Sequence, residues 1–177
     1  MENTSTPAAT PAAIGIRYGL IIGIVTVIYS LALMATGLDQ NPWLGILTFA
    51  ILIAGIVLAH KAYKQSNGGF MSYGQGLGIA TVEGAIIGAL SGVFRYIYVN
   101  FIDSEYTQRT LDAARAKLEN EGKLSDEQID QTIQWTAKMM PTGPISIIWG
   151  VIATAFFGFL LALIISAITK NTRPEFE

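Results

Sequence analysis

Residues 73–102, YGQGLGIATVEGAIIGALSGVFRYIYVNFI, decide the fold of this chain. The stretch is mostly apolar and exceeds the roughly 20 residues that a helix needs to cross the hydrocarbon core of a bilayer. Gly76, Gly84, Gly88 and Gly92 recur within it at multiples of four residues, so they lie near one face of a helix. The stretch therefore predicts a membrane-spanning helix that packs closely against other helices.

Three further apolar stretches come near or above the length of a membrane span. They cover about residues 14–36, 43–60 and 144–169. The sequence thus predicts an all-α, polytopic membrane protein with four transmembrane helices in a single membrane domain, residues 14–169.

Both ends of the chain are polar. Residues 1–13 are rich in Pro, Ala and Thr and contain no Lys or Arg, so they lack the basic start of a secretory signal peptide. They are predicted to be a disordered arm because they have little to bury. Residues 170–177 are predicted to be a short C-terminal tail.

The connection between the third and fourth spans, residues 103–142, is the only sizeable polar segment between spans. Ser104 and Ser125 are predicted to cap the starts of two helices, and Ser125 is followed at the third position by Gln128, a capping-box pattern. Gly122 and Pro141 are suited to end them. The segment therefore predicts a helical hairpin.

Lys and Arg residues near the span ends predict the orientation, because short cytoplasmic segments are enriched in them. One side of the membrane gathers a dense basic set: Arg17, Lys61, Lys64, Lys170 and Arg173. Both termini are therefore expected in the cytoplasm and the hairpin outside.

Small residues recur at every fourth position in three of the spans, as in a glycine zipper. This pattern permits close contact between helix backbones in lipid. The glycines predicted to pack are Gly15, Gly19 and Gly23 in the first span, Gly76, Gly84, Gly88 and Gly92 in the third, and Gly150 and Gly158 in the fourth. The pattern does not distinguish packing within one chain from packing in a homo-oligomer.

Glu83 is a lone carboxylic acid near the middle of the third span, where an ionisable group is costly and marks a functional site by default. One interpretation is a polar lock, a protonated or hydrogen-bonded glutamate that fixes helix register; Thr26, Tyr29 and Thr154 lie at matching depth. The other is a site for a proton or cation. His60, the only histidine, is expected at the membrane interface near lipid headgroups.

Composition excludes several classes of function. The chain has no cysteine, which removes disulfides and thiolate metal sites, and its net charge of −2 gives no basic field for nucleic acid. No nucleophile, base and acid set fits one depth, so an enzyme is not expected. No cofactor and no metal site are predicted either.

Several short motifs resemble an uncharacterised bacterial family of four-span inner-membrane proteins, DUF4199, common in Bacteroidetes. They are GFMSYGQG at 69–76, YIY at 96–98, FID at 101–103, LSDEQI at 124–129 and MMP at 139–141. Members often have Pro where this chain has Ser104. The resemblance implies four-span topology and a location in the cytoplasmic membrane, and it transfers no catalytic residue. Genes of such proteins often lie near glycosyltransferase genes, which suggests a glycosyltransferase as a membrane partner.

The sequence leaves two hypotheses of function. The leading one is a structural or accessory subunit, surrounded by lipid, that packs against itself or against a membrane partner. The alternative is a small transporter or channel that uses Glu83 as its proton or cation site.

Overall fold

The computed structural model describes residues 9–173, which form six α-helices and no strand. The helices are α1 (Pro11–Thr36), α2 (Pro42–Ser66), α3 (Tyr73–Ile97), α4 (Tyr106–Glu121), α5 (Asp126–Met139) and α6 (Ile145–Thr169), and α3 is followed directly by a π-helical turn at Tyr98–Ile102. The prediction of an all-α fold is confirmed.

Four of these helices, α1, α2, α3 with its π-helical turn, and α6, are long and apolar enough to cross a membrane. The protein is therefore a multi-pass membrane protein. Helix α1 begins at Pro11, inside the predicted arm, because Thr10 caps it and proline suits the first turn. The rest of that arm, residues 1–8, and the last four residues of the tail lie outside the described residues.

The described residues divide into two compact units, one of residues 9–91 with 150–173 and the other of residues 92–149. In the first unit, a buried apolar cluster takes members from all four long helices: Ile22, Leu52, Ile56, Ala80, Ile87 and Ala162. A second cluster contains Ile14, Ala59, Tyr63, Met71 and Ile79. Main-chain hydrogen bonds between Met71 and Asn171 join the start of α3 to the end of α6. We call the end of the first unit that contains Met71 and Asn171 the terminal end.

Glycines of α1 lie against α3. A Cβ atom on Gly15 would come within 2.8 Å of the Ile79 carbonyl oxygen, and one on Gly19 within 3.0 Å of the Glu83 carbonyl oxygen. A Cβ atom on Gly23 would lie 2.6 Å from the end of the Leu90 side chain and 3.5 Å from the Ile87 Cα. These three glycines therefore let the backbones of α1 and α3 approach closely within one chain.

Helix α3 makes an equally close contact with α6. A Cβ atom on Gly84 would lie 2.6 Å from the Thr154 carbonyl oxygen, and one on Gly88 would overlap the Gly150 carbonyl. On the α6 side, a Cβ on Gly158 would lie 2.9 Å from the Ala80 carbonyl oxygen. The small residues of α3 thus have partners within the chain; association between copies stays a prediction.

In the second unit, α4 and α5 pack against each other as a hairpin, and Arg115 of α4 pairs with Asp130 of α5. Gly122 ends α4 in the left-handed conformation, at φ +62°, where glycine is favoured. Ser125 forms the predicted capping box with Gln128. The side of the membrane on which this hairpin lies stays a prediction.

The start of α4 differs from the sequence prediction. Glu105, not Ser104, occupies the cap position, and its side chain makes no capping hydrogen bond. Asp103 instead accepts hydrogen bonds from Arg109, and this guanidinium holds the pKa of the Asp103 carboxyl below its usual value. An ion pair that crosses the first turn therefore holds the start of the helix in place of a serine cap.

Candidate functional site

Helix α3 places Glu83 in the interior of the first unit, where its side chain is fully buried. Within the described residues, neither carboxyl oxygen has a hydrogen-bond partner. Unpartnered buried polar atoms are uncommon in folded proteins, because each costs about 1–3 kcal/mol. The position of Glu83 therefore calls for an explanation beyond packing.

Two groups expected to bond Glu83 use their hydroxyl hydrogens elsewhere. Thr26 donates to the Ile22 carbonyl oxygen at 2.8 Å, one turn back in its own helix. Tyr29 donates to the Leu44 carbonyl oxygen at 2.9 Å. The hydrogen bonds on which the polar-lock interpretation depends are therefore absent between these residues and Glu83.

Gly55 of α2 provides the space that the Glu83 carboxyl occupies. A Cβ atom added to Gly55 would overlap Glu83 Oε1 and would lie 2.8 Å from Ile22. Gly55 belongs to none of the predicted ladders, so the sequence pattern did not reveal its role. A small residue on α2 at the depth of Glu83 was the only signal that could have identified it.

A cavity of about 280 Å³ lies on the side of Glu83 away from the terminal end. All four long helices line it, with five hydroxyl-bearing residues (Thr26, Ser30, Thr48, Ser91 and Thr154) and four apolar ones (Phe49, Leu52, Ile87 and Phe157). Ser91 Oγ is buried and has no hydrogen-bond partner among the described residues. Ile87, in the cavity wall, is one helical turn from Glu83, about 6 Å along the axis. The hydroxyl-lined space therefore begins about one helical turn from Glu83, which does not itself line the cavity.

His60 is fully buried, so the expectation of a headgroup-facing histidine is wrong. Its ring nitrogens lie 2.9 Å from Thr169 Oγ1 and 3.0 Å from the Gly76 carbonyl oxygen. Three helices thus meet at this side chain, on the opposite side of Glu83 from the cavity. Sequence position alone did not reveal these partners, since they lie 16 and 109 residues away.

Within residues 9–173, no group of three or more His, Asp or Glu side chains could hold a metal ion. Glu83 is instead a single buried carboxyl that lies between the hydroxyl-lined cavity and His60. A proton needs only one such group, whereas Ca²⁺ and Mg²⁺ prefer about six or more oxygen ligands. The arrangement is chemically suited to binding and releasing a proton.

We expect Gly55→Ala to destabilise the protein by about 1–3 kcal/mol, because the new methyl group overlaps the Glu83 carboxyl. The double variant Gly55→Ala with Glu83→Ala should recover part of that loss. Thermal unfolding in detergent would measure both effects. Gly45→Ala is the matched control, since Gly45 is on the same helix and has nothing within 4 Å of its Cβ position. If Gly55→Ala lowers thermal stability by the same amount in the wild-type and the Glu83→Ala backgrounds, the contact between Gly55 and the Glu83 carboxyl is contradicted.

Comparison with known proteins identifies one family. The model of the family described as "Protein of unknown function (DUF4199)" matches residues 17–171, which is most of the chain. No curated protein matches the chain. No solved structure matches it either.

Proposed function

The chain belongs to the DUF4199 family of proteins of unknown function, and from that premise we propose that it is a small membrane transporter or channel that moves protons by way of Glu83. The observation that carries the proposal is the full burial of the Glu83 carboxyl without a hydrogen-bond partner among the described residues. Intramembrane acids of this kind are typical of proton relays in pumps and transporters.

Polar groups on both sides of Glu83 support a proton path through the protein in which Glu83 is one step. The hydroxyl-lined cavity begins about one helical turn from Glu83 on one side, and its walls come from all four long helices. Hydroxyl groups can donate and accept hydrogen bonds, so they are able to hold the waters that carry a proton. On the other side, His60 and Ser166 are buried polar groups nearer the terminal end.

The proposal also includes the membrane in which the protein lies and its orientation in that membrane. Basic residues near the terminal end, such as Lys61, Lys64 and Lys170, favour the cytoplasmic membrane with both termini in the cytoplasm. The cavity side of Glu83 then faces outwards and the His60 side faces inwards.

Purified full-length protein reconstituted into vesicles tests the proposal. A potassium diffusion potential, negative inside, should drive protons inwards, and an enclosed pH dye should report acidification well above that of protein-free vesicles. Acidification at the protein-free rate would contradict proton movement. Sodium flux in the same vesicles, without proton flux, would instead favour a cation as the transported species.

One observation favours the accessory-subunit hypothesis as a second candidate. Trp135 and Met139 lie one turn apart on α5, and their side chains are 66% and 79% exposed. Large exposed apolar side chains of this kind are enriched where partners bind. Co-purification from native membranes, followed by mass spectrometry, tests for a partner such as a glycosyltransferase.

A further inference from the structure

The two hydrogen-bond partners of His60 constrain its two ring nitrogens differently. The Gly76 carbonyl oxygen lies 3.0 Å from His60 Nε2 and can only accept, so Nε2 must donate. The group beside Nδ1 is the Thr169 hydroxyl, 2.9 Å away, which can either donate or accept. The protonation of Nδ1 is therefore left open by its partner.

The Thr169 hydroxyl has a second acceptor within reach. Its oxygen also lies 2.8 Å from the Ile165 carbonyl oxygen, but a hydroxyl carries only one hydrogen. When the ring is neutral, Thr169 can donate to Nδ1. When the ring is charged, Nδ1 donates to Thr169, whose hydrogen then turns to Ile165. Rotation about one C–O bond thus satisfies both charge states of His60.

We propose that His60 is a second proton-binding site, in which the Thr169 hydroxyl switches between two acceptors as the imidazole gains or loses a proton. Buried groups whose charge changes are normally destabilised in one state, because hydrogen bonds suit only the other. The Thr169 switch removes the hydrogen-bonding part of this cost, while the cost of burying a charge remains. Since the proposed function routes protons through Glu83, the role of His60 as the next proton carrier rests on that function; proton binding at His60 does not.

The surroundings of His60 are consistent with such a site. Gly76, seven residues before Glu83, lies about 10 Å from it along α3. The buried Ser166 hydroxyl, which has no hydrogen-bond partner among the described residues, lies beside Gly76. The titratable and charged groups on the surrounding segments are Tyr18 on α1, Lys61, Tyr63 and Lys64 on α2, Tyr73 and Glu83 on α3, and Lys170 directly after α6. Lys64 donates to the Thr169 carbonyl oxygen at 3.0 Å.

Because the chain has one histidine, a ¹⁵N-histidine label reports on His60 alone, provided that the affinity tag contains none. Full-length protein in lipid should give a neutral ring with hydrogen on Nε2 at pH 8 and a ring with hydrogen on both nitrogens at pH 5. A ring that stays neutral over this range, or a neutral ring with hydrogen on Nδ1, would overturn the proposal.

Substitutions at Thr169 test the switch itself. Thr169→Val has nearly the same shape but no hydroxyl, so at pH 5 it should lose most of the doubly protonated signal. Thr169→Ser keeps the hydroxyl and should retain that signal. A Thr169→Val spectrum identical to the wild-type spectrum would overturn the switch, and the wild-type titration remains decisive if this variant fails to fold.

Measurements of proton flux distinguish proton binding at His60 from a role of His60 as a proton carrier. His60→Gln should lower proton flux in vesicles by at least about tenfold, because the second carrier is missing. Wild-type flux in His60→Gln would overturn the relay role of His60 while leaving Glu83 as the proton site. If wild-type protein shows no flux at all, the proposed function fails, yet the histidine titration still stands or falls by its own spectra.

Discussion

Replacing Gly88 with leucine should prevent α3 and α6 from packing, with a loss of about 3 kcal/mol or more in the free energy of unfolding. The reason is that the neighbour of Gly88 is backbone: even a Cβ atom would overlap the Gly150 carbonyl, and the Cα of Val151 lies only 2.8 Å from that Cβ position. Backbone cannot move aside as a flexible side chain can. The two helices would have to separate, losing close contact along their length.

Gly78→Leu is the matched control for this prediction. Gly78 lies on the same helix, and nothing lies within 4 Å of its Cβ position. Thermal unfolding in detergent should distinguish the variants: Gly88→Leu unfolds at a lower temperature than wild type, and Gly78→Leu behaves as wild type. Equal stability of the two variants would contradict the contact. Because the contact is within one chain, the loss should not depend on protein concentration.

The architecture of this protein could be predicted because lipid imposes a strict rule. A chain in a bilayer must satisfy its backbone hydrogen bonds internally, so long apolar stretches become helices. Residues 73–102 accordingly form a continuous helix, α3 with its π-helical turn, that is long and apolar enough to cross a membrane. The second helix continues to Ser66, beyond the predicted end of the span at 60, because a helix does not have to stop where the apolar side chains stop.

The surroundings of the candidate site were less predictable. Glu83 was identified from the sequence because its charge stands out in an apolar stretch. The space for its carboxyl comes from Gly55, and glycine is too common in membrane helices to mark such a role. The burial of His60 depends on Gly76 and Thr169, which only the folded chain brings together.

Glu83→Gln should abolish proton movement while leaving the fold intact. Glutamine has nearly the same shape as a protonated glutamic acid, so the packing against Gly55 is preserved. It cannot bind and release a proton in this range of pH. We expect proton flux to fall at least about a hundredfold, the scale of a lost proton-transfer group. A pure polar lock would behave differently, since glutamine would serve that role as well as glutamate.

Glu105→Gln is the matched control, because its carboxyl is removed by the same substitution but is 84% exposed. It should leave flux at the wild-type rate. Thermal unfolding of Glu83→Gln should stay close to that of wild type, so any loss of flux reflects the missing proton site and not a misfolded protein.

The most direct test of proton movement through Glu83 is the acidification rate of vesicles that contain wild-type protein, Glu83→Gln or Glu105→Gln at equal protein content and membrane potential. We predict rapid acidification with wild type and Glu105→Gln, and the protein-free rate with Glu83→Gln. Acidification by Glu83→Gln at the wild-type rate would contradict proton transfer through this carboxyl.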